Sequence, residues 1–284
     1  MRNEFVRELV VAATSNDRIV LVTGDIGWGV VDEFQKKFPK RFFNAGVAEQ
    51  HMMSFCAGLA SDGFHPFVYS IANFPTFRCA EQIRNDVAYH NLAVTIVAVG
   101  GGLAYGNLGY SHHAVQDYAL IRTMPNMLIA APADRYEVSA CVRYLIENPQ
   151  PSYLRLGRGG EPVMHKSIPR VSPGIPVLVN GREGHTDRIN LSTGAASVVV
   201  QAGDLPHYSM PLWGMECKST AKRSLEKYQL INSYEDHLTD GGFGSWLLAS
   251  LNGTGAKVAL RALDPKVCGT VGSQKALFEF GGLS

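Results

Sequence analysis

The chain has 284 residues and a formal net charge of +1, with 46% hydrophobic and 18% charged residues. This composition is sufficient for a sizeable core, and the length is typical of roughly two domains. A nearly neutral chain without a basic run predicts neither nucleic acid nor a membrane surface as a partner.

Cysteine usage and hydropathy indicate the compartment. The five cysteines are odd in number, scattered and never in a C-x-x-C pair. They therefore favour reduced thiols over a disulfide framework or a zinc site. Residues 1–11 lack the unbroken apolar core of a signal peptide, and no stretch reaches the ~18 apolar residues of a membrane span. We expect a cytoplasmic protein.

Helix-like and strand-like segments alternate through the first half of the chain. Predicted helices lie at 4–15, 50–60, 79–89 and 135–147, and predicted strands lie at 19–23, 41–44, 67–71, 92–99 and 127–131. Asp134 is placed to cap the last of these helices, with Glu137 positioned as in a capping box. This alternation predicts a parallel sheet covered by helices on both faces.

The second half predicts a smaller α/β unit. Residues 157–184 are rich in proline and glycine, which predicts a linker. Beyond them, short strands are predicted at 188–191, 197–201, 229–233 and 257–260, with a helix after Gly244. We therefore expect a second, mainly parallel sheet.

Two glycine-rich segments and a histidine pair allow more than one interpretation. Residues 24–27 (Gly-Asp-Ile-Gly) could be a diphosphate or metal loop, but a turn at a strand end is favoured. Residues 100–102 (Gly-Gly-Gly) follow a strand, yet their spacing to Gly106 does not fit a dinucleotide fingerprint. A loop in which the backbone approaches another group closely is favoured there. His112 and His113 have no third metal ligand at a useful spacing, so no metal site is expected.

Glu49 is the most informative single residue. It stands between a predicted short strand and an apolar helix, in the segment Asn-Ala-Gly-Val-Ala-Glu-Gln-His of residues 44–51. A carboxylate there would lie at the carboxyl edge of a parallel sheet, where such folds bind ligands. An acid that favours the start of a helix through the macrodipole is the alternative, and spacing alone leaves both open.

Several segments resemble, in the same order, the motifs of the transketolase family. The segment 42–51 (Phe-Phe-Asn-Ala-Gly-Val-Ala-Glu-Gln-His) is the first, and others follow at 55–60, 78–88, 109–117, 121–137, 154–159 and 234–244. The resemblance is greatest to deoxyxylulose-phosphate synthases and to split, two-gene transketolases. It implies an α/β protein with two doubly wound, mainly parallel domains. These are a thiamine-diphosphate pyrimidine-binding domain at 1–168 and a compact transketolase C-terminal domain at 185–284.

The resemblance assigns a cofactor role to Glu49. In this family the matching glutamate hydrogen-bonds N1′ of the aminopyrimidine of thiamine diphosphate, which favours the imino tautomer that removes the C2 proton. Such a carboxyl group has to be shielded from bulk water. Phe74, and second Phe77, are predicted to line the pyrimidine slot, with ordinary core aromatics as the alternative.

Substrate contacts are implied for three further residues. His112 matches a histidine that contacts substrate hydroxyls or the developing alkoxide, and Arg158 matches an arginine that binds the sugar phosphate. His51 is a weaker candidate. The alternative for His112 is a structural loop histidine, and the alternative for Arg158 is an arginine in water. For His51 the alternative is simple helix packing. Leu108 stands where relatives carry an acid that recognises hydroxyls, which leaves the donor and acceptor open.

A missing motif implies a partner. The resemblance implies that the diphosphate and Mg²⁺ are held by a Gly-Asp-Gly loop with a downstream asparagine on a separate domain, and no such loop exists in this chain. We therefore expect an N-terminal transketolase subunit to hold the diphosphate and the metal, in an α2β2 heterotetramer that acts on a sugar phosphate. No metal ligand is expected from this chain.

The predicted activity is transfer of a two-carbon ketol unit between sugar phosphates or to a related, specialised acceptor. An E1 β-type subunit of a 2-oxoacid dehydrogenase and a non-catalytic scaffold are the alternatives.

Overall fold

Strands and helices alternate along the whole chain in the computed structural model, which describes residues 1–184, 186–200 and 203–283. The first half contains β1 (Ile19–Thr23), β2 (Phe42–Asn44), β3 (His65–Ile71), β4 (Thr95–Val99), β5 (Leu128–Ala130) and β6 (Ser152–Leu156). The second half contains β7 (Val177–Asn180), β8 (Arg188–Ser192), β9 (His207–Ser209), β10 (Leu212–Gly214), β11 (Leu230–Leu238) and β12 (Lys257–Leu263).

The helices connect these strands and cover the sheets. They are α1 (Arg2–Ser15), α2 (Asp32–Lys37), α3 (Glu49–Ser61), α4 (Asn73–Phe77), α5 (Ala80–Gln82), α6 (Asp117–Ile121), α7 (Arg135–Glu147), α8 (Lys218–Leu225), α9 (Phe243–Ser250) and α10 (Gln274–Phe280). A π-helical segment, Ile83–Ala88, continues α5. Within the described ranges, no helix combines the length and the apolar character needed to span a bilayer.

The strands of the described residues form two sheets. A seven-stranded sheet has the order β10-β5-β6-β4-β3-β1-β2, and a five-stranded sheet has the order β12-β11-β8-β9-β7. Neighbouring strands are parallel except at the β10–β5 and β7–β9 pairs. The predicted α/β class with two mainly parallel sheets is therefore confirmed.

Most predicted elements of the first half are present. β1 has the predicted bounds, and α7 begins directly after Asp134, whose side chain accepts the N–H groups of Tyr136 and Glu137 at 2.9 Å. The carboxylate of Glu137 reaches back to the N–H of Ala133 at 2.7 Å, one residue earlier than a capping box requires. The helix start is thus stabilised on both sides of its cap.

Two predictions for the second half are wrong. The predicted strand 197–201 is instead a 3₁₀-helix, Gly194–Val199, because the buried Ser197 hydroxyl donates to the carbonyl of Gly194 at 2.9 Å and closes a turn. Gln201 lies outside the described residues. The predicted linker 157–184 contains β7, which joins the second sheet. β10 belongs to the second half of the chain but pairs with β5 of the first sheet.

A buried ion network connects the two sheets. Arg155 of β6 donates from Nε to Asp117 Oδ2 at 2.7 Å and from Nη1 to Asp236 Oδ1, on β11, at 2.5 Å. The side chain of Arg155 is 3% exposed and both acids are fully buried. Three charges without water require mutual pairing, so this network fixes the strand ends of both sheets relative to each other.

The glycine segment 100–102 packs against this network. A Cβ at Gly101 would lie 2.6 Å from the Arg155 side chain, and one at Gly102 would clash with the carboxylate of Asp236. Gly100 and Gly102 also have positive φ angles. The predicted close approach of the backbone is therefore confirmed, and the group approached is the protein's own ion network.

We predict that Arg155→Met destabilises the protein by about 3–5 kcal/mol, because two buried carboxylates lose their cation. Arg143→Met is the matched control. Arg143 pairs with Glu8 but its side chain is 51% exposed, so the expected loss is below about 1 kcal/mol. Urea denaturation measures the free energy of unfolding of both variants. An equal decrease in the two variants would contradict a structural role for the buried network.

Candidate active site

Glu49 lies at the carboxyl edge of the first sheet, as the first residue of α3 after β2. Its side chain is 7% exposed, and Arg78 Nη1 donates to Oε1 at 2.6 Å. The carboxylate borders an open recess of ≈ 480 Å³, which is lined by Val47, Ala48, Gln50, His51 and Arg78. In the described part of the chain, Oε2 receives no hydrogen bond, so one carboxylate oxygen is anchored while the other is available to a ligand.

A chain of ring contacts connects Glu49 to Arg158. The guanidinium carbon of Arg78 lies 4.2 Å from the ring centroid of Phe74, and the His112 ring meets Phe74 edge-on at 5.3 Å. The ring centroid of Tyr105 also lies 6.3 Å from that of His112. The guanidinium of Arg158 lies 5.5 Å from the Tyr105 centroid. Loops from four separate strands thus place one continuous row of rings and cations along the sheet edge.

His112 is half-buried at the end of a short 3₁₀-helix, Tyr110–His112. Its Nδ1 lies 3.0 Å from Ser111 Oγ. Burial lowers the pKa of the imidazole below its usual value, and the neighbouring His113 and Arg78 lower it further. The ring is therefore mainly neutral at pH 7, the state in which an imidazole can accept a proton from a hydroxyl.

The remaining candidates are spread more widely. His51 is exposed and its ring stacks 6.4 Å from that of Phe55, although it borders the Glu49 recess. Phe77 is 44% exposed. Arg158 is exposed and lines a second, larger cavity of ≈ 950 Å³ at the junction of the two halves. Phe74 and His112 are therefore in direct contact, Glu49 is joined to them through Arg78, and Arg158 is joined to them only through Tyr105.

Sequence reasoning assigned no role to Arg78, Tyr105 or Asn73, which the structure places beside the candidates. Arg78 opens the family-like segment 78–88, and this was the available signal for it. Asn73 and Tyr105 are found only through the loop contacts that folding creates.

The segment 24–27 is a turn at the end of β1. Asp25 has a φ of 57°, and its N–H donates to Asn44 Oδ1 at 2.9 Å while Asn44 Nδ2 donates back to Asp25 Oδ1 at 2.9 Å. The favoured interpretation of this segment is confirmed. Among the residues described, no group of three or more His, Cys, Asp or Glu side chains could hold a metal ion.

Comparison with known sequences identifies relatives of both halves. Residues 1–161 match the family model described as the pyrimidine binding domain of transketolase. A putative transketolase C-terminal section of Methanocaldococcus jannaschii is 31% identical over 294 residues, covering 100% of this chain and 92% of that protein. One of the subunits of the apulose-4-phosphate transketolase of Phocaeicola vulgatus is 38% identical over 167 residues, which are 58% of this chain and 54% of that protein.

Some relatives are longer proteins in which one segment is similar to this chain. The chain covers 41% of the 1-deoxy-D-xylulose-5-phosphate synthase of Methylacidiphilum infernorum, at 31% identity. It thus spans less than half the length of that synthase. Among solved structures, a split-gene transketolase in an inactive β4 tetramer superposes with a TM-score of 0.82 at 28% identity, over 100% of this chain and 93% of that one.

Proposed function

Because the chain belongs to the transketolase family through its pyrimidine-binding domain, we propose that it is one subunit of a split, thiamine-diphosphate-dependent transketolase. The reaction is transfer of a two-carbon ketol unit between sugar phosphates or to a related acceptor. The observation that carries this proposal is the shielded Glu49 carboxylate, which opens on a recess at the carboxyl edge of a parallel sheet.

The residues of the recess fit the pyrimidine end of the cofactor. Glu49 Oε2 would share a proton with N1′, while Arg78 fixes Oε1 and Phe74 supplies an aromatic wall. A hydrogen bond between Glu49 and N1′ would be stronger in this shielded position than in water. When bound, thiamine diphosphate supplies the electron sink for breaking and forming the carbon–carbon bond. His112 would move a proton at a substrate hydroxyl, and Arg158 would bind the substrate phosphate.

A partner subunit has to provide the rest of the site. The Gly-Asp-Gly loop of the family is absent from the sequence, and among the described residues no group of three or more His, Cys, Asp or Glu side chains could hold a metal ion. Large apolar side chains are exposed in the first half of the chain, among them Val47 at 75%, which lines the Glu49 recess, Trp28 at 74% and Tyr110 at 51%. Exposed apolar residues beside an incomplete site are typical of an interaction surface.

The proposed assembly is an α2β2 heterotetramer with an N-terminal subunit that carries the Gly-Asp-Gly motif. One relative of known structure is described as an inactive β4 tetramer, which supports the idea that such a subunit is inactive without its partner. A cytoplasmic location belongs to the same proposal, as do a pyrimidine-binding domain over residues 1–168 and a C-terminal domain that includes β7 together with residues 185–284. The specificity is left open by Leu108, which is 50% exposed beside the His112 loop and cannot hydrogen-bond a substrate hydroxyl.

Calorimetry with thiamine diphosphate and Mg²⁺ tests the split site. We expect no binding to this chain alone and micromolar binding once the N-terminal subunit is added, because the diphosphate contacts come from that subunit. Tight binding by the isolated chain would refute the partner requirement. Absence of binding in the mixture would refute the cofactor assignment.

Glu49→Gln tests the proton-sharing role. The amide keeps the size of the side chain but cannot share a proton with N1′, so kcat should fall by about 10²–10⁴-fold. Glu81→Gln, an exposed glutamate on α5, is the matched control and should keep the full rate. Assembly with the partner is checked by size-exclusion chromatography. A nearly normal kcat for Glu49→Gln would remove Glu49 from the mechanism.

Arg158→Ala tests the phosphate contact. Loss of a charge-assisted hydrogen bond of about 1.5–3 kcal/mol should raise KM roughly 10- to 100-fold for phosphorylated substrates. Unphosphorylated analogues should be much less affected. Arg170→Ala, another exposed arginine of the following segment, serves as the control. Equal effects on both classes of substrate would exclude a phosphate role.

A further inference from the structure

The loop that carries His112 has little regular structure of its own. It consists of two short 3₁₀-helices, Gly106–Leu108 and Tyr110–His112, and its outer side chains Leu108 and Tyr110 are half exposed. Backbone hydrogen bonds within residues 101–114 close its turns, but contacts from outside the loop are needed to hold one of its side chains in a fixed direction.

Asn73 provides such contacts on both sides of His112. Its Nδ2 donates to the carbonyl of Ser111 at 3.1 Å and to the carbonyl of His113 at 3.0 Å. These are the carbonyls of the two residues that flank His112, so a single amide fixes the backbone before and after it. Its two N–H donors match these two acceptors.

The amide makes these bonds although its other end is unsatisfied. Asn73 Oδ1 is buried and has no hydrogen-bond partner among the described residues. An unpaired buried carbonyl is unfavourable, and an apolar residue would avoid it. The presence of an asparagine at position 73 is therefore explained by its two N–H donors and not by packing alone.

The next residue fixes the histidine ring itself. Phe74 follows Asn73 in α4, and its ring meets the His112 ring edge-on at 5.3 Å. A second aromatic neighbour of the His112 ring is Tyr105, at 6.3 Å between ring centroids. The first turn of α4 thus determines both the backbone and the ring orientation of His112.

We infer that Asn73 is a positioning residue, which acts through the Ser111 and His113 carbonyls to direct the His112 imidazole towards the substrate. This inference rests on the proposed function for the role of His112, but the geometry it describes exists in the chain without cofactor. The chain alone can therefore be used to test the geometry, and the assembled enzyme to test its use.

The first test is NMR of the His112 ring in the isolated chain, with Asn73→Ala and Asn73→Leu. Leu keeps the branching and the number of side-chain heavy atoms but has no donor, so it separates the loss of the hydrogen bonds from the loss of packing that Ala also causes. Both variants should move the His112 ring signals and raise its pKa towards the ordinary value, because a released loop lets water reach the imidazole beside His113 and Arg78. Asn148→Ala is the control, because it removes an amide that donates to the Tyr144 carbonyl at an exposed helix end. It should change neither the His112 ring signals nor the pKa of His112.

Unchanged His112 signals and pKa in both Asn73 variants would overturn the inference. The inference would also be overturned if Asn73→Ala changed the His112 signals while Asn73→Leu behaved as the wild type. Loss of packing would then explain the effect of Asn73→Ala. Circular dichroism confirms that each variant is folded before it is interpreted.

The second test is kinetic and uses the chain assembled with its partner. Asn73→Leu should lower kcat by about 10- to 100-fold, within the range attributed to a positioned acid or base, while the Kd for thiamine diphosphate stays unchanged. In a His112→Ala background the same substitution should cost almost nothing more, because its effect passes through the histidine. Additive losses would overturn the inference. A fully active His112→Ala enzyme would instead overturn the proposed role of His112, whatever the NMR result.

Discussion

The arrangement of the molecule depends on one buried cation. Arg155 stands at the end of a central strand of the first sheet and pairs with Asp117 of α6 and with Asp236 from the second sheet. Because neither acid is exposed to water, each depends on the guanidinium as its cationic partner. The relative position of the two halves is therefore set by electrostatic pairing together with apolar contact.

The same network reaches the candidate site. The glycines of residues 100–102 allow the backbone to pass directly over Arg155 and Asp236, and the loop that follows carries Tyr105 and His112. A larger residue in place of these glycines would displace the first residues of the loop that carries Tyr105 and His112. The positions of the catalytic candidates are thus a consequence of an ion pair that none of them contacts.

The sequence predicted what regular patterns encode. β1 and β4 are uninterrupted apolar runs because both sheet faces are covered, and Asp134 is recognisable as a helix cap. β10 was missed because three residues show no periodicity, and β6 was obscured by Arg155, whose charge suggests an exposed loop. Glu49 was found through its family motif. Asn73 and Arg78 were not assigned roles, because their functions depend on which carbonyl or carboxylate folding places within reach.

The pairing of β10 with β5 has a consequence for how the chain reaches its native state. β5 would be the unprotected edge of the first sheet until Leu212–Gly214 adds to it, and a bare edge strand is a template for intermolecular pairing. During synthesis the edge of β5 is therefore unpaired until β10 has emerged. Expression of the first half by itself would meet the same hazard, although most of its core is complete.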